Sequence, residues 1–550
     1  MTTVAVLGGG IGGLSAAHEL AERGFSVTIY EQREEFGGKA RSFPGPTSGV
    51  APLPAEHGFR FFPGFYLHVT DTMGRIPHRG GSVEDNLVET SQIHHATGKR
   101  KWLMSTDAPE TLQEHKRAVW SLFGGPDVPS DEKAFFLARL LHLLSSCDRR
   151  WREYDAVSWW EFVAADRMSG GYQKILGRGI PQLLVALRPE IASTRTIGRI
   201  YLQLLQGLFD ESMEADYVLN GPTTDVWIEP WVDYLTELGV EMKTGATVRT
   251  IETNGERVTG VRIQGDNSGS EYTETADYYV AALPVESMER LVTPDLERAA
   301  PSLRGLTELE TAWMNGIQFY LKRDVPLAEG HGIYYDSPWA LTTISQRQFW
   351  AKSHASYFDG TVDGILSICI SDWETPGILY DKPARECSPR EIKAEVWAQL
   401  ERHLNTVDET VLSDDLIYDW FLDPAIEYDA QRGESRSHEP LLINTVGSLQ
   451  FRPEAGTAAE NLLLASDYVR TNTDVATMEA ANEAARRAVN AIIDRSGSDA
   501  TPCHIGDLSF PPPFDRLRRV DTMFYHGRLS HPGTITPRIW QLYAGAKSLL

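Results

Sequence analysis

The chain has few cysteines and few basic residues for its length. Four cysteines occur among 550 residues, at Cys147, Cys369, Cys387 and Cys503, and none belongs to a C-x-x-C pair. Such separated cysteines give no disulfide framework and no metal site, and they are typical of a reducing compartment. Lysine and arginine total 52 against 76 acidic residues, for a net charge of -24. This charge argues against nucleic acid and against an anionic membrane surface as partners.

Long apolar runs are also missing. No stretch of about eighteen uninterrupted apolar residues occurs, so we expect no transmembrane helix. The apolar residues 4–7 have no basic segment before them and are interpreted as a strand rather than as a secretory signal. These features predict a cytoplasmic protein. The length of 550 residues is sufficient for two domains with large cores, and the sequence leaves the oligomeric state open.

A glycine-rich turn follows this first strand. Gly8, Gly10 and Gly13 stand in the G-x-G-x-x-G register, between the strand and a helical pattern at residues 14–23. Gly10 lets a pyrophosphate approach the backbone, and the start of the helix offers free N–H groups to phosphates. Glu31 ends a second strand about twenty residues on, where an acceptor for ribose hydroxyls belongs. The unit predicts a dinucleotide site formed by Gly8, Gly10, Ile11, Gly12, Gly13, Glu31 and Gln32.

A second glycine pair follows Glu31 closely, and a simple NAD-binding domain does not need it. Gly37 and Gly38 precede Lys39, Ala40, Arg41 and Ser42. This segment resembles the extended amino-terminal motif of the flavin-dependent amine oxidase and phytoene desaturase superfamily, where it runs along the FAD pyrophosphate and ribityl chain. The resemblance implies that FAD is the cofactor and that it is bound by Gly38, Lys39, Ala40 and Arg41, with Ser42 alongside.

A short apolar strand and a helix flank Asp467 near the other end of the chain. They resemble the carboxy-terminal FAD motif of the same superfamily. The resemblance implies that Asp467 bonds the ribityl or pyrophosphate group and that the helix start at Thr477 and Met478 points its positive end at the flavin. The family usually has glycine where this chain has Ser466, which changes how closely the backbone can approach. No Ser-Gly-Gly-Cys occurs there, so we expect the FAD to be non-covalent.

Two further segments extend the resemblance. Val248 precedes an alternating hairpin, and in the superfamily the residue at this position reaches the adenine through its backbone. The acidic residue and glycine before Phe59 begin the strand that leads toward the isoalloxazine ring, which implies that Gly58, Phe59 and Arg60 contact the flavin. His57 and Arg60 are therefore candidate active-site groups. An ion-paired arginine and a capping histidine are the structural alternative.

These motifs divide the chain into interleaved pieces. The predicted fold class is α/β, with a discontinuous Rossmann-type, glutathione-reductase-like FAD-binding domain and an inserted mixed α+β substrate domain. The FAD-binding domain is expected at residues 1–105, 225–300 and 455–495, and the substrate-binding domain at 106–224 and 301–454. A carboxy-terminal extension at 496–550 contains three consecutive prolines and is expected to be an irregular arm.

The substrate region is rich in aromatic residues. Any single one is better explained as core, but as a set they suit a long apolar tunnel that ends at the flavin. An acid would be needed there to protonate carbon or an enolate, and His57, Tyr334 and Tyr335 are the candidates.

Residues 54–66, 71–77, 219–223 with Trp227 and Trp231, and 466–471 are similar to a bacterial branch of phytoene-desaturase-like flavoproteins. That branch includes natural-product enzymes that close carbocycles in polycyclic tetramate macrolactams. The resemblance implies an FAD-dependent oxidoreductase of secondary metabolism that takes a large apolar polyene and forms a ring by hydride transfer through flavin N5. No second G-x-G-x-x-G exists, so NADPH as external reductant would have to reach the flavin directly. A carotenoid- or squalene-type desaturase, an amine oxidase that releases hydrogen peroxide, and a non-redox flavoprotein are the alternatives.

Overall fold

A computed structural model describes residues 1–48, 51–98, 100–105, 125–146, 149–206, 216–265, 269–350, 360–506 and 512–531, with single positions at 111, 113, 123 and 533. Its α-helices are α1 (Ile11–Glu22), α2 (His68–Gly74), α3 (Ser130–Leu144), α4 (Arg149–Arg152), α5 (Trp159–Phe162), α6 (Gly170–Tyr172), α7 (Gly179–Val185), α8 (Thr194–Gln206), α9 (Glu229–Glu237), α10 (Val285–Leu291), α11 (Pro294–Ala299), α12 (Arg347–Trp350), α13 (Pro389–Leu404), α14 (Met478–Ser496) and α15 (Pro512–His526).

The strands are β1 (Thr3–Leu7), β2 (Ser26–Tyr30), β3 (Ser42–Ser48), β4 (Ala51–Glu56), β5 (Pro77–His78), β6 (Gly81–Ser82), β7 (Leu87–Glu89), β8 (Gln92–Thr97), β9 (Arg100–Ser105), β10 (Tyr217–Leu219), β11 (Glu241–Lys243), β12 (Ala246–Thr253), β13 (Val258–Gly265), β14 (Glu271–Glu274), β15 (Tyr278–Ala281), β16 (Glu310–Ala312), β17 (Asn315–Leu321), β18 (His331–Tyr334), β19 (Leu341–Ser345), β20 (Gly364–Ile370), β21 (Ile417–Leu422), β22 (Ile426–Asp429), β23 (Glu434–Ser437), β24 (Leu441–Ile443) and β25 (Leu462–Leu464). Short 3-10 or π-helical turns connect several of them.

The first sheet is parallel and has the order β11-β2-β1-β15-β25. Its central strand β1 pairs on both sides, with Val6 opposite Ile29 of β2 and opposite Val280 of β15. All three side chains are fully or almost fully buried, as expected for a parallel sheet covered on both faces. Helices α1 and α14 pack against each other beside it. The predicted α/β class is confirmed, and the segments that form this sheet come from both ends and the middle of the chain.

The second large sheet has seven strands in the order β21-β17-β20-β19-β18-β8-β9. Its pairs are antiparallel except for β18 and β8, which are parallel. Helix α13 covers one face, where Val396, Trp397 and Leu400 share a hydrophobic cluster with Phe319 and Ile368 of the sheet. The opposite face is therefore the one available to the rest of the molecule.

Strands β8 and β9 belong to the seven-stranded sheet and not to the parallel sheet of the FAD-binding domain. The sequence assigns residues up to 105 to the FAD-binding domain, but β8 pairs with β18, with His95 opposite Ile333. The pairing extends the seven-stranded sheet at an edge that would otherwise leave backbone groups unpaired. A boundary drawn at the sheet therefore falls before residue 92.

The aromatic residues do not form the single tunnel that their number suggests. Trp159 lies in the core of the helical region, whereas Trp227 and Trp231 belong to the core around the parallel sheet. Trp339 packs beneath the seven-stranded sheet, and Trp350 lies in a fourth cluster. All five are at most 1% exposed, so they are core residues of separate regions.

The carboxy-terminal extension contains a helix, α15, where an irregular arm was expected. Prolines are tolerated in a first helical turn because the N–H groups there have no intrahelical partner. Leu517, Val520 and Phe524 follow at helical spacing, and the buried Asp521 pairs with Arg149 at 2.7 Å. Within the described part of the chain, no helix is both long and apolar enough to span a bilayer.

Candidate active site

The amino-terminal glycines (Gly8, Gly10, Gly12 and Gly13, called the glycine cradle below) bring the backbone of three elements together. A Cβ atom on Gly12 would lie 2.0 Å from the Ala465 carbonyl oxygen, and one on Gly13 would lie 1.9 Å from that of Gly8. Gly8 itself has a φ of +105°, which favours glycine. Side chains are thus excluded where α1 packs against β1 and the end of β25.

Gly10 differs from the other members of the cradle. Its Cβ would meet only the Gly38 Cα, at 3.7 Å, so open space lies beside this backbone. Helix α1 begins at the same point, with no side-chain cap and no acidic residue in its first turn. Uncapped N–H groups beside a gap are the arrangement that binds a pyrophosphate. This region fits the phosphates of FAD.

Glu31 lies at the carboxyl end of β2 and is 4% exposed. Its Oε2 accepts a hydrogen bond from the Gly9 amide at 2.8 Å, and its Oε1 accepts one from the Arg33 amide at 2.9 Å. These bonds hold the carboxylate beside the glycine cradle. Gln32 is exposed next to it, and Val248 lies half-buried on β12. The Glu31 carboxylate is therefore held at the adenosine end of the predicted site, where it can accept hydrogen bonds from ribose hydroxyls.

The second glycine pair brings the following basic segment to the cradle. The Gly37 amide donates to the Gly9 carbonyl at 2.8 Å, and a Cβ on Gly38 would lie 2.9 Å from the Gly10 Cα. The Lys39 ammonium contacts the Pro440 carbonyl oxygen and lies 3.6 Å from Glu286. The two amino-terminal motifs thus form one surface, as the resemblance implies, and Ala40 and Arg41 follow directly.

Glu286 also lines this region, although the sequence did not indicate it. Burial raises the pKa of its carboxyl, and Lys39 opposes this shift. Its Oε2 is buried without a hydrogen-bond partner among the described residues. An unpartnered buried acceptor beside an ammonium group is consistent with a site whose ligand supplies the missing donor. A hydroxyl-rich cofactor such as FAD fits that requirement.

A second group of polar side chains, the His57 cluster, lies near the first. It comprises Arg33, Arg41, His57, Asn315, Asp423 and Glu439. Glu439 is 5% exposed, and its Oε1 accepts hydrogen bonds from Arg33 and, at 3.0 Å, from Arg41. The cluster therefore connects the basic segment after the glycine pair to residues more than 390 positions away, since Arg41 and Glu439 are 398 residues apart.

His57 and Asp423 form the centre of this cluster. His57 Nδ1 lies 2.6 Å from Asp423 Oδ2 and 3.7 Å from Glu439 Oε2. Asp423 is fully buried and accepts hydrogen bonds from the Asn315 amide group at 2.7 Å and from the Ala425 N–H at 2.9 Å. Burial opposes ionisation of Asp423, but His57 and Asn315 outweigh it and hold the pKa of Asp423 below its usual range.

Asn315, Asp423 and Glu439 were not found by reading the sequence. Asn315 begins the apolar strand β17, and Asp423 directly follows β21, which pairs with it. Single polar residues at the ends of such strands were the available signal. That signal is weak on its own, because polar residues at strand ends are common.

The backbone of His57 and Gly58 lies against the seven-stranded sheet. A Cβ on Gly316 would be 2.6 Å from the His57 carbonyl oxygen, and one on Gly58 would be 3.0 Å from the Cys369 sulfur. Gly316 and Cys369 pair in register. Their neighbours Ile317 and Ile368 lie in the α13 cluster, so Gly316 and Cys369 lie on the opposite face. Phe59 packs half-buried in a neighbouring cluster. The segment therefore separates the glycine cradle from the free face of the sheet.

Arg60 anchors this segment. Its Nη2 donates to the Lys39 carbonyl at 2.8 Å, and its Nε lies 4.0 Å from Glu56. Glu56 is 2% exposed and accepts from the Thr223 amide at 2.7 Å. Burial raises the pKa of Glu56, and Arg60 opposes the shift. These contacts give Arg60 an orienting role between the two predicted flavin segments, in addition to any contact with the cofactor.

Tyr334 and Tyr335 point to opposite faces of the sheet. Tyr334 is fully buried on the α13 face, where its hydroxyl lies 3.0 Å from Thr343 Oγ1 and its ring contacts His403. Adjacent strand residues alternate between faces, so Tyr335 lies on the free face. The structure thus does not bring Tyr334 to His57. Tyr335 directly follows β18, which lies three strands from β17, the strand that His57 contacts.

Tyr335 belongs to an aromatic stack on the free face. The His95 ring stacks on Trp102 at 5.1 Å and on Tyr335 at 5.7 Å, and His95 Nδ1 lies 2.9 Å from the Tyr335 hydroxyl. Burial lowers the pKa of His95 to about 3 and raises the pKa of Tyr335. Both groups are therefore uncharged at neutral pH. Helix α7 covers this part of the face, where Leu183 shares a cluster with Ile333 and Gly179 lies against the Tyr335 ring.

The loop after β25 is held by a buried arginine. Arg452 donates to the carbonyl oxygens of Asp467 at 3.0 Å, Tyr468 at 3.0 Å and Val469 at 2.6 Å. It also donates to the Asp474 carboxylate at 2.7 Å. These bonds fix the backbone that carries the Asp467 side chain. Ser466 Oγ lies 3.3 Å from Asp467 Oδ1, so the residue that replaces the usual glycine contacts the acid beside it.

Helix α14 begins after this loop, directly before Met478. The Thr477 side chain caps it by accepting from the Ala480 amide at 3.1 Å. Glu479, in its first turn, accepts from the His68 and Val69 amides of α2 at 2.8 and 2.9 Å. The carboxylate thus stabilises the start of α2. The start of α14 thus has a side-chain cap and an acidic residue in its first turn, whereas the start of α1 has neither.

A family model of flavin-containing amine oxidoreductases matches residues 11–493. The chain belongs to this family. It is an FAD-dependent oxidoreductase related to carotenoid desaturases and amine oxidases. Membership confirms the superfamily that the two glycine motifs and Asp467 indicated. The residues around the gap at Gly10 and beside Glu286 fit the cofactor that the family implies.

Two relatives span almost the whole chain. A 15-cis-phytoene desaturase of Synechococcus elongatus is 24% identical over 519 residues, which cover 90% of this chain and 96% of the desaturase. A zeta-carotene desaturase of Synechocystis is 23% identical over 520 residues, or 89% of this chain and 97% of that protein. Among solved structures, putrescine oxidase bound to putrescine aligns with a TM-score of 0.59 and 16% identity over 90% of this chain and 99% of that one. The structural likeness shows the fold.

Proposed function

We propose that this flavoenzyme acts on a large apolar polyene and that its reaction closes a ring, as in the reductive cyclisation of a polyene tetramate macrolactam. The proposal rests on His57 with its buried partner Asp423, placed between the cofactor motifs and the free face of the seven-stranded sheet. When bound, FAD supplies the two-electron step at its N5. The similarity to two carotene desaturases supports an apolar conjugated substrate.

His57 would hold the proton that ring closure requires. The Asp423 carboxylate lies beside Nδ1, so it orients the imidazole and leaves Nε2 to exchange a proton with the substrate. Delivery to carbon or to an enolate oxygen then needs no proton from bulk water. Glu439 contributes a further negative charge nearby.

The free face of the sheet would orient the polyene. Near His57 this face is formed by Gly316 and Cys369, which are uncharged because burial raises the pKa of the Cys369 thiol to about 11. An ammonium substrate would favour a carboxylate that no other cation holds, whereas Asp423 and Glu439 already pair with His57, Arg33 and Arg41. This arrangement favours an uncharged substrate over an amine.

The test is an anaerobic visible spectrum of the FAD-loaded protein before and after NADPH, followed by a polyene tetramate macrolactam. We expect NADPH to bleach the flavin band and the substrate to be converted to a ring-closed product. His57→Gln should slow product formation about 100-fold, with flavin reduction by NADPH unchanged. His94→Gln is the matched control. His94 and His95 are neighbours on β8 and point to opposite faces of the sheet, so His94 lies on the α13 face, away from His57.

Two results would replace the proposal. Bleaching by 15-cis-phytoene with formation of a longer conjugated product, and no response to NADPH, would make the protein a carotenoid-type desaturase. Bleaching by putrescine followed by hydrogen peroxide release in air would make it an amine oxidase. Carotenoid desaturation is the second candidate, because the two relatives that span almost the whole chain bear that name.

A further inference from the structure

A cavity of about 630 Å³ lies between helix α3 and the carboxy-terminal extension. Its lining contains none of the cofactor motifs and none of the His57 cluster. The helical region contributes Arg139, His142, Tyr154 and Phe162, and the extension contributes Tyr525 and His531. A cavity of this size is in the range that holds a small organic ligand.

Arg139 is the distinctive group of this cavity. It is 8% exposed, and its Nε donates to the Phe162 carbonyl at 2.9 Å while its Nη1 lies 2.9 Å from His142 Nδ1. The guanidinium carbon also lies 3.7 Å from the centre of the Phe162 ring. No carboxylate pairs with Arg139 among the described residues. A buried cation without a counter-charge is costly, so an anionic ligand would be stabilised there.

The carboxylates near this cavity contact Arg149 and not Arg139. Arg149 pairs with Asp521 at 2.7 Å and with Glu153 at 3.0 Å. The lining also contains Arg528 and the exposed Glu161. Among the described residues, Arg139 therefore has no carboxylate in direct contact.

The histidines beside Arg139 are neutral. The Arg139 guanidinium donates to His142 Nδ1, so His142 carries its proton on Nε2, which donates to the Tyr154 hydroxyl at 2.7 Å. Burial and the charge of Arg139 lower the pKa of His142 to about 2. His531 stacks on His142 at 3.9 Å between ring centres. The wall around the guanidinium is thus aromatic and uncharged, which suits an apolar body attached to an anion.

We propose that this cavity binds an anion, a carboxylate or a phosphate, carried on an apolar or aromatic body. Arg139 holds the anionic group, and the rings of Phe162, Tyr154 and Tyr525 contact the body. The site is separate from the flavin site and does not depend on the substrate proposed above.

Calorimetric titration of the FAD-loaded protein with decanoate, decyl phosphate and decanol tests the proposal. We expect the two anions to bind and decanol, which has the same tail without charge, not to bind. Arg139→Gln should weaken anion binding roughly ten- to a hundredfold, as expected for losing a charged hydrogen bond. The flavin absorbance should stay unchanged in each titration. Equal binding of decanol, or undiminished binding to Arg139→Gln, would overturn the proposal.

A second pair of variants decides the question if Arg139→Gln does not fold. Ser530 is exposed at the cavity mouth, so Ser530→Glu adds a repelling charge and Ser530→Gln is its neutral match. Anion binding should be lost in the first and kept in the second; identical binding in both contradicts the site. Cosedimentation with phosphatidylglycerol vesicles separates the two sources of the anion. If the wild-type protein sediments with the vesicles and Ser530→Glu does not, the anion is a lipid headgroup. If the protein binds decanoate or decyl phosphate but does not sediment with the vesicles, the anion is a free ligand.

Discussion

In the glycine cradle the chain approaches itself through backbone atoms, and all its members lie between residues 8 and 13. The His57 cluster instead brings together six polar side chains that are spread along the chain from Arg33 to Glu439. The cradle excludes side chains by contact, as at Gly12 beside Ala465. The cluster depends on charge balance, with Glu439 shared by Arg33 and Arg41. Packing in the cradle is therefore sensitive to an added atom at Gly12 and Gly13, whereas the cluster is sensitive to the loss of a charged partner.

The largest effect is expected from a methyl group in the cradle. Gly12→Ala places a Cβ 2.0 Å from the Ala465 carbonyl, so α1 must move away from β25, at a cost of about 3 kcal/mol or more. Gly10→Ala has room for its Cβ beside Gly38 and should lose FAD affinity without destabilising the apoprotein. Thermal unfolding of the apoprotein and the flavin retained after gel filtration measure both effects. Wild-type stability of Gly12→Ala would contradict the packing.

The next effect concerns the centre of the cluster. Asp423→Asn replaces the carboxylate that lies beside His57 Nδ1 and orients the ring, and we expect product formation to fall about 100-fold. Because the cradle is untouched, the content of FAD and its reduction by NADPH should not change. Rapid-quench measurement of product formation against pH checks this. An unchanged rate and pH profile would reduce Asp423 to a structural residue.

A smaller effect on stability is expected at the edge of the cluster. Glu439→Gln leaves the guanidinium groups of Arg33 and Arg41 without their shared carboxylate, which should lower the free energy of unfolding by about 1–3 kcal/mol. Glu427→Gln is the control, because Glu427 pairs with His438 at the surface and should change stability by less than about 0.5 kcal/mol. Urea unfolding of both variants gives the comparison, which fails if the two losses are equal.

The smallest effect is the pH dependence of the His57–Asp423 pair. The pKa of Asp423 lies below the usual 3.8, so its ionised form stabilises the fold above that pH, and this stabilisation is lost as the pH falls through the folded-state pKa. The stability difference between wild type and Asp423→Asn should therefore be full at pH 5 and shrink below about pH 4. Urea unfolding at several pH values measures it. A difference that stays constant down to pH 2 would contradict the pairing.

Reading the sequence was sufficient for the cofactor half of the molecule. The roles predicted for the cradle glycines and for the pair at Gly38 depend on local backbone geometry, because a tight turn and a helix start are set by neighbouring residues. Those predicted for Glu31 and Asp467 depend on an acidic residue directly after a short strand. The family match and the parallel sheet agree with that interpretation. The sequence alone thus determined the fold class, the cofactor and the chemistry class of the protein.

The tertiary structure decided the rest. Successive side chains of a strand point to opposite faces of the sheet, so Tyr334 faces α13 and Tyr335 lies on the free face. Long-range pairing moved β8 and β9 into the second sheet and brought Asn315, Asp423 and Glu439 to His57. Contacts between residues hundreds of positions apart leave no local pattern, because each partner is an ordinary polar residue until the chain folds.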